Sequence, residues 1–572
     1  MPALLNPIDA HEGNISQIFS DAYSFEIPPY QRPYAWEEEQ AREFLGDLLN
    51  AMDNTQSCGN FYFIGSIVLI KTPGVSQSKV IDGQQRLTTL TILLSVLRDL
   101  TKGTEDRLRR CRYVFQKGNA DEGTEDRYRL ALRPRDQAFF KKHVQQPGAT
   151  ENLPDSTALR GSEKRIVENA RYFREQLHAT EETRRNKLVA FIIQYCYLVV
   201  VAVPTPDAAR RIFTVLNARG LDLTPTDILK ADLLERVGAA AEVALAERWE
   251  AVEQSLDRDK FVELFGHIRM IHEREKPRSA LEDGFRPAVP LFTSDANSFV
   301  SDLLEPTADA YILLNDSRQI EAQFGPEAGK AVRSLQRIDN KDWMPPALLR
   351  LWKRREGDNL LVAKFLIDLE RLAYFLFTTR ADINARMARF SNVMDECDPR
   401  AGIAPPPEGL TLSPREQIDF IAALSGPLYG LSRVCRPVLQ RLDEALSSGG
   451  ASYDNLISIE HVLPQTVEAG STWAELFPKE LERSEWTHRL ANLVFLTRRI
   501  NSRASNWDFD RKKKEYFVSK KDGMSPFPLT QGVLQASQWT PEHLTIRQEA
   551  LLEKLRQVWQ LSGPAPDSTA SA

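Results

Sequence analysis

The sequence predicts a multidomain α+β protein that is predominantly helical, and three observations carry that expectation. The chain has 572 residues, too many for one hydrophobic core. Residues 1–235 alternate short apolar strand patterns with longer helical ones, whereas 236–445 keep their apolar side chains at mostly helical spacing. A last segment, 446–561, opens on a short β-branched run, and the tail 562–572 (SGPAPDSTASA) is too polar and proline-rich to join a core.

Composition narrows the function classes. With 42% hydrophobic and 27% charged residues the chain is ordinary globular material, and its formal net charge of -6 provides no whole-molecule field for nucleic acid. Any DNA contact must therefore be local. The five cysteines, Cys58, Cys111, Cys196, Cys397 and Cys435, are scattered without a CxxC pair, which argues against a disulfide framework or a cysteine-bound zinc. The N-terminus (MPALLNPIDAHEG) does not read as a signal peptide, and the apolar stretches LTTLTILLSVL and FIIQYCYLVVVAV are shorter than the roughly 20 residues of a membrane span. A cytoplasmic location without a membrane partner is expected.

In the first region, the run ending FIGSIVLI, between Phe61 and Ile70, reads as a strand. In IPPYQRPYAWEEEQ, Ile27 to Gln40, two prolines predict an extended backbone that presents Tyr30, Gln31 and Arg32. SKVIDGQQRLTTLTILL, Ser78 to Leu94, reads as a strand ending at Ile81, a turn at Asp82-Gly83 and a helix from about Gln84. That arrangement aims backbone N–H groups and Arg86 at the helix start, a natural anion site. An ordinary capped helix explains the same pattern. In AARRIFTVLNARGLDLTPTDILKADLL, Ala208 to Leu234, Thr226 and Asp227 read as N-cap residues, and Asn217, Arg219, Asp227 and Lys230 are candidates for the same pocket.

The middle region reads as a helical connector, with LLRLWKRREGDNLLVAKFLIDLERLAYFLF as its clearest helical portion, and DPRAGIAPPPEG, Asp398 to Gly409, reads as an extended loop. In NLISIEHVLPQ, Asn455 to Gln465, Glu460 and His461 end a strand stopped by Pro464. HRLANLVFLTRRIN, His488 to Asn501, then places Asn492 and Asn501 around a second apolar run. Acid-His, Asn, and a second Asn nine residues later is the residue order of an HNH, or ββα-metal, nuclease. Phosphodiester hydrolysis needs an activated water, an oriented base and a cation. His461 is assigned as general base, Asn492 as its orienting partner, and Glu460 with Asn501 as hard oxygen ligands suited to Mg²⁺ or Mn²⁺. Gln465, His488 and Asn506 are second choices. Singly, a histidine at a strand end or an asparagine beside one is commonly structural; order and spacing together favour the catalytic reading. Nine Lys/Arg against three acids between Arg498 and Lys521 offer either phosphate contacts or a solvated helix face.

At IPPYQRPYAW, FIGSIVL, VIDGQQRLTTL, IFTVLNARGLDLTPTDILK, IEHVLPQ and HRLANLVFLTRRIN the chain resembles the modification-dependent type IV restriction enzymes of the GmrSD kind, a group that includes the BrxU and SspE defence nucleases. The resemblance lies at both ends, and 240–445 matches only as a helical connector. It implies an N-terminal ParB/sulfiredoxin-like domain that binds and hydrolyses a nucleoside triphosphate through DGQQR. Asp82, Gly83, Gln84, Gln85 and Arg86 fall on that motif, with Tyr30, Gln31 and Arg32 completing the pocket. It further implies a C-terminal HNH nuclease with His461 on the catalytic histidine, and a role against phage DNA. GmrSD-like members act on glucosylated hydroxymethylcytosine DNA, while SspE-like members respond to phosphorothioate DNA. Ala491 departs from the group, where relatives commonly have Gly before the Asn. Association into a homo-oligomer is left open.

Overall fold

The computed structural model describes residues 8–58, 61–118, 121, 125–205, 208, 224–397, 407–447, 457–497, 507–515, 518–519 and 523–562. Asn217, Arg219, Asn501 and Asn506, and the loop 398–406, lie outside them. The chain divides into two compact units, 1–251 and 252–572. The residues read as a helical connector fall mainly in the second.

The first unit is built on a sheet of β1 (Asp9–Asn14), β2 (Ser24–Glu26), β3 (Tyr62–Ile70), β4 (Gln77–Asp82), β5 (Leu130–Ala131) and β6 (Cys196–Val203). Its spatial order is β1-β6-β3-β4-β2-β5. The β3/β6 pair is parallel and β3/β4 antiparallel, so the sheet is mixed. The run LVVVAV in β6 is continuously apolar because both faces are covered. Leu198, Val200 and Ala202 join Ile67 and Leu69 in a core with α1 (Glu38–Cys58), α2 (Gln84–Asp99) and α3 (Gly161–His178). Val201 and Val203 face a smaller cluster with Val68, Ile81 and Tyr30.

The DGQQR turn follows directly from this sheet. Strand β4 ends at Asp82, one residue beyond the Ile81 expected, Gly83 has φ 91°, and α2 starts at Gln84, as the sequence predicts. Only glycine suits that left-handed turn without strain, and a Cβ there would lie 2.5 Å from Ile67 Cγ2. Upstream, Gln31 N–H donates to the Pro28 carbonyl, 3.0 Å away, so Pro28–Gln31 forms a turn rather than the extended stretch expected. Proline presets the φ of a turn's second position as readily as that of an extended chain. The helix α4 (Pro225–Glu235) is capped by Thr224, and Asp227 closes a capping box at the third helical position; neither Thr226 nor Asp227 is the cap.

The second unit is mostly helical. The clearest helical stretch of the sequence becomes α5 (Met344–Trp352) and α6 (Asn359–Thr378), separated at Gly357, whose φ is 90°. Its C-terminal portion contains α7 (Ser432–Leu446), β7 (Ile457–His461), β8 (Leu493–Thr497), α8 (Phe509–Glu515) and α9 (Pro541–Trp559). Trp559 of α9 packs between Tyr374 and Phe420, at ring-centroid distances of 5.1 and 4.9 Å. The Arg441–Glu370 pair, 2.6 Å apart and buried, joins α7 to α6. Among the described residues no helix is long and apolar enough to cross a membrane.

Because a methyl group at position 83 meets both a forbidden φ and the Ile67 side chain, Gly83→Ala is expected to cost about 2–4 kcal/mol. Urea unfolding followed by circular dichroism checks this, and an unchanged midpoint would show that the turn tolerates a side chain.

Candidate functional site

In the second unit, β7 and β8 pair antiparallel, with His461 opposite Leu493 and Glu460 opposite Val494. The helix α8 follows them in the chain, completing a β-β-α order. Consecutive residues of a strand point to opposite faces, and Glu460 and His461 accordingly find different neighbours.

The His461 ring is held at both nitrogens. Its Nε2 lies 3.3 Å from Nδ1 of His488, and its Nδ1 lies 3.1 Å from Nε2 of Gln465. Tyr429 packs edge-on against it at 4.2 Å between centroids and stacks on His488 at 5.5 Å, 9° from parallel. Tyr429 N–H also donates to the His488 carbonyl. Burial, then the nearby His488 and Lys512, push the His461 pKa down to about 4. The ring is therefore neutral at neutral pH, the form a proton acceptor needs.

Asn492 sits on a short turn, Leu490–Asn492, immediately before β8 rather than on the strand. Its contacts stop short of the imidazole. The amide oxygen accepts from Leu463 N–H (2.7 Å) and Trp539 Nε1 (3.1 Å), and the amide nitrogen donates to the carbonyls of Leu463 (3.0 Å) and Thr487 (2.9 Å). Its own carbonyl accepts from Val462 N–H. Asn492 thus fixes the chain just after His461 and just before His488. Ala491 is fully buried in the apolar core with Val462, Trp473 and Trp539, so its methyl is accommodated.

Glu460 Oε1 pairs with Lys512 Nζ at 3.0 Å, and the same ammonium, 1% exposed, donates to the carbonyls of His461 and Val462. Mg²⁺ keeps much of its water shell and needs one or two carboxylates, so Glu460 suits a hard, hydrated cation. Among the described residues no three His, Cys, Asp or Glu side chains gather around one point. The other expected ligand, Asn501, lies outside them. Of the basic run, Lys512 faces inward, Arg511 lies over the Trp507 ring at 4.0 Å, and Lys514 is exposed.

In the first unit, the two motifs expected to form one pocket are stitched together. Gln31 Nε2 donates to the Ile81 carbonyl at 2.9 Å. Gln85 accepts from Ala35 N–H at 2.8 Å and donates to the Pro33 carbonyl. Arg86 donates to the Ser66 carbonyl and lies against Gly65, where a Cβ would come 3.1 Å from its Nε. Arg32 is paired with Asp227, whose carboxyl is held below the usual range by Arg32 and Thr224 despite its burial. Lys230 is buried against Glu250 at 2.8 Å and is thereby turned away from the role expected of it. Gly83, the N-cap of α2, offers no side-chain acceptor to the first N–H groups of that helix. Tyr30, Gln31 and Arg32 line a cavity of about 250 Å³ with Lys79, Ile81 and Asp227; Gly83, Gln84, Gln85 and Arg86 do not.

Sequence reasoning missed Tyr429, Lys512 and Trp539 as members of the C-terminal site. Lys512 was visible only as one of a basic run, and Tyr429 lies 32 residues before His461 with no motif around it. Asn492→Ala leaves two N–H groups and two carbonyls without partners in the interior, and a loss of about 3–5 kcal/mol is expected. Chemical denaturation measures it; a loss under about 1 kcal/mol would mean that the loop holds without the amide.

Two family models match the chain. The GmrSD restriction endonuclease N-terminal domain matches residues 15–234, and the GmrSD restriction endonuclease C-terminal domain matches residues 419–554, a span that takes in Tyr429 as well as His461. No curated protein matches the chain. With both domains present in their order and the histidine centre inside the second, the chain belongs to the GmrSD restriction endonucleases.

Proposed function

We propose that this restriction endonuclease is a nucleotide-regulated, metal-dependent DNA nuclease of anti-phage defence, with His461 as the general base of an HNH-type centre. The observation that carries the reading is the neutral His461 ring, oriented at both nitrogens, at the end of a β-hairpin that also bears Glu460. A general base must reach the water it activates. Nε2 faces the His488 ring, whereas Nδ1 faces Gln465, an exposed residue. Nδ1 is the nitrogen that takes the proton, once substrate displaces Gln465.

Mg²⁺ or Mn²⁺, held by Glu460 with Asn501, supplies charge stabilisation at the phosphate when bound. Lys512 keeps the Glu460 carboxylate and the His461 and Val462 carbonyls in place around that position. In the first unit, the uncapped start of α2 and the DGQQR turn, Asp82 to Arg86, with Tyr30, Gln31 and Arg32, take a nucleoside triphosphate on a ParB/sulfiredoxin-like scaffold. Gln31 and Gln85 act there as braces, since both are committed to backbone groups. The nucleotide domain gates the nuclease in response to a DNA modification, either glucosylated hydroxymethylcytosine or phosphorothioate.

A nucleotide-driven DNA-binding switch without cleavage is the second reading. It is favoured by the Lys512–Glu460 pair, which occupies one carboxylate oxygen with a protein cation. The experiment that separates them is cleavage of unmodified, glucosylated and phosphorothioate DNA with Mg²⁺ or Mn²⁺, with and without each nucleoside triphosphate. His461→Ala is expected to cut about 10²–10⁴-fold more slowly and to hydrolyse nucleotide at the wild-type rate. Asp82→Ala is expected to lose hydrolysis. Wild-type protein that binds these DNAs and never cuts them establishes the switch instead.

A further inference from the structure

The second unit holds a polar cleft that neither the nuclease centre nor the basic run accounts for. Its volume is about 500 Å³, and three arginines, Arg380, Arg386 and Arg433, line it together with Asp339, Gly430 and Ser432. Counting the lining charges, three cations face one carboxylate. The arginines differ in commitment. Arg386 is bound to Asp342 at 2.7 Å and to the Ala381 carbonyl, so it belongs to the framework. Arg433 is 82% exposed and touches Asp339 only at 3.3 Å, a surface pair of little energetic weight. The Arg380 guanidinium, which follows the end of α6, has no carboxylate or carbonyl partner among the described residues, and its residue is exposed.

The cleft adjoins the candidate active site through the chain itself. Tyr429 packs on His461 and His488, and Gly430, the next residue, lines the cleft. Successive Cα atoms are about 3.8 Å apart, and one DNA strand advances about 3.4 Å per nucleotide along the helix axis. The Gly430 edge of the cleft therefore lies about one nucleotide step from Tyr429, the residue packed on His461. Guanidinium forks match phosphate oxygens in pairs. The start of α7 at Ser432, which no side chain caps, adds N–H groups of the same polarity.

Resting on the nuclease reading above, we propose that this cleft binds a backbone phosphate of the DNA strand beside the scissile bond, with Arg380 and Arg433 as its contacts. The substrate strand is then gripped by the helical part of the second unit, and the contact is to phosphate, hence independent of base sequence. Phosphate on a free nucleotide has the same chemistry, but the cleft is reached from the histidine centre, where the strand must pass.

The test uses the full-length chain and a short fluorescein-labelled DNA duplex in EDTA, so that binding is read by anisotropy without cutting. The double variant Arg380→Ala/Arg433→Ala removes two exposed side chains and is checked for an unchanged thermal melt. Its affinity is expected to fall about tenfold near 0.1 M salt, and the slope of log K against log salt to shrink by about 1–2. The more conservative Arg380→Lys/Arg433→Lys should keep the slope. Unchanged affinity and slope in the alanine variant overturn the cleft, as does a variant that loses nucleotide binding and keeps DNA binding. If wild-type protein binds but never cuts, while the alanine variant shows the drop, the nuclease reading fails and the cleft stands.

Discussion

The side-chain amide of Asn492 is the interaction on which the C-terminal site depends. It is fully buried, and its four hydrogen bonds use both lone pairs and both N–H groups. Its partners lie two residues after His461 and one residue before His488. The separation of the two imidazoles is therefore set by one planar group with no spare valence. In an interior where an unpaired polar group costs about 1–3 kcal/mol, rotating the amide would break several bonds at once, so the loop has one conformation. Tyr429 then closes the arrangement from outside by packing on both rings.

The first unit uses polar side chains in a comparable way. Gln31, Gln85 and Arg86 each spend themselves on backbone carbonyls or N–H groups of the neighbouring motif segment. Gln31 and Gln85 thus lock the Pro28–Ala35 segment against the DGQQR turn, and Arg86 ties that turn to β3. Behind them, Arg133, Lys230 and Glu250 form a buried charge cluster, with Glu250 Oε1 accepting from both cations. A buried carboxylate is tolerable only when paired in this way, which is why Lys230 is held inward.

Much of this was legible in the residues, and what was not has identifiable causes. The strand at Ile67–Leu69, the Gly83 turn and the helix from Gln84 follow from local propensity and need no partner to be inferred. The Pro28–Gln31 turn was read as extended because proline restricts φ without deciding ψ. Thr226 and Asp227 were read as caps because all of Thr224, Thr226 and Asp227 can cap; only the observed chain path selects Thr224. The long helical stretch broke between Trp352 and Asn359, where Gly357 takes a φ of 90°, a left-handed conformation that apolar periodicity does not reveal.

For the site, residue type and order marked Glu460, His461 and Asn492 as candidates, but Asn492, expected to orient the His461 ring, bonds Leu463, Thr487 and Trp539 instead. Sequence alone also determined the family, through motifs at both ends of the chain, and the strand-turn-helix of DGQQR, which rests on contacts between near neighbours. Which groups touch the His461 ring was decided only in three dimensions. His488 reaches it through a loop closure across 27 residues, Lys512 reaches Glu460 across 52, and Tyr429 arrives from a turn before α7, whereas Gln465 stands only 4 residues on. Such contacts are chosen by burial and by saturation of hydrogen bonds in the folded interior, and neither quantity is a property of local sequence.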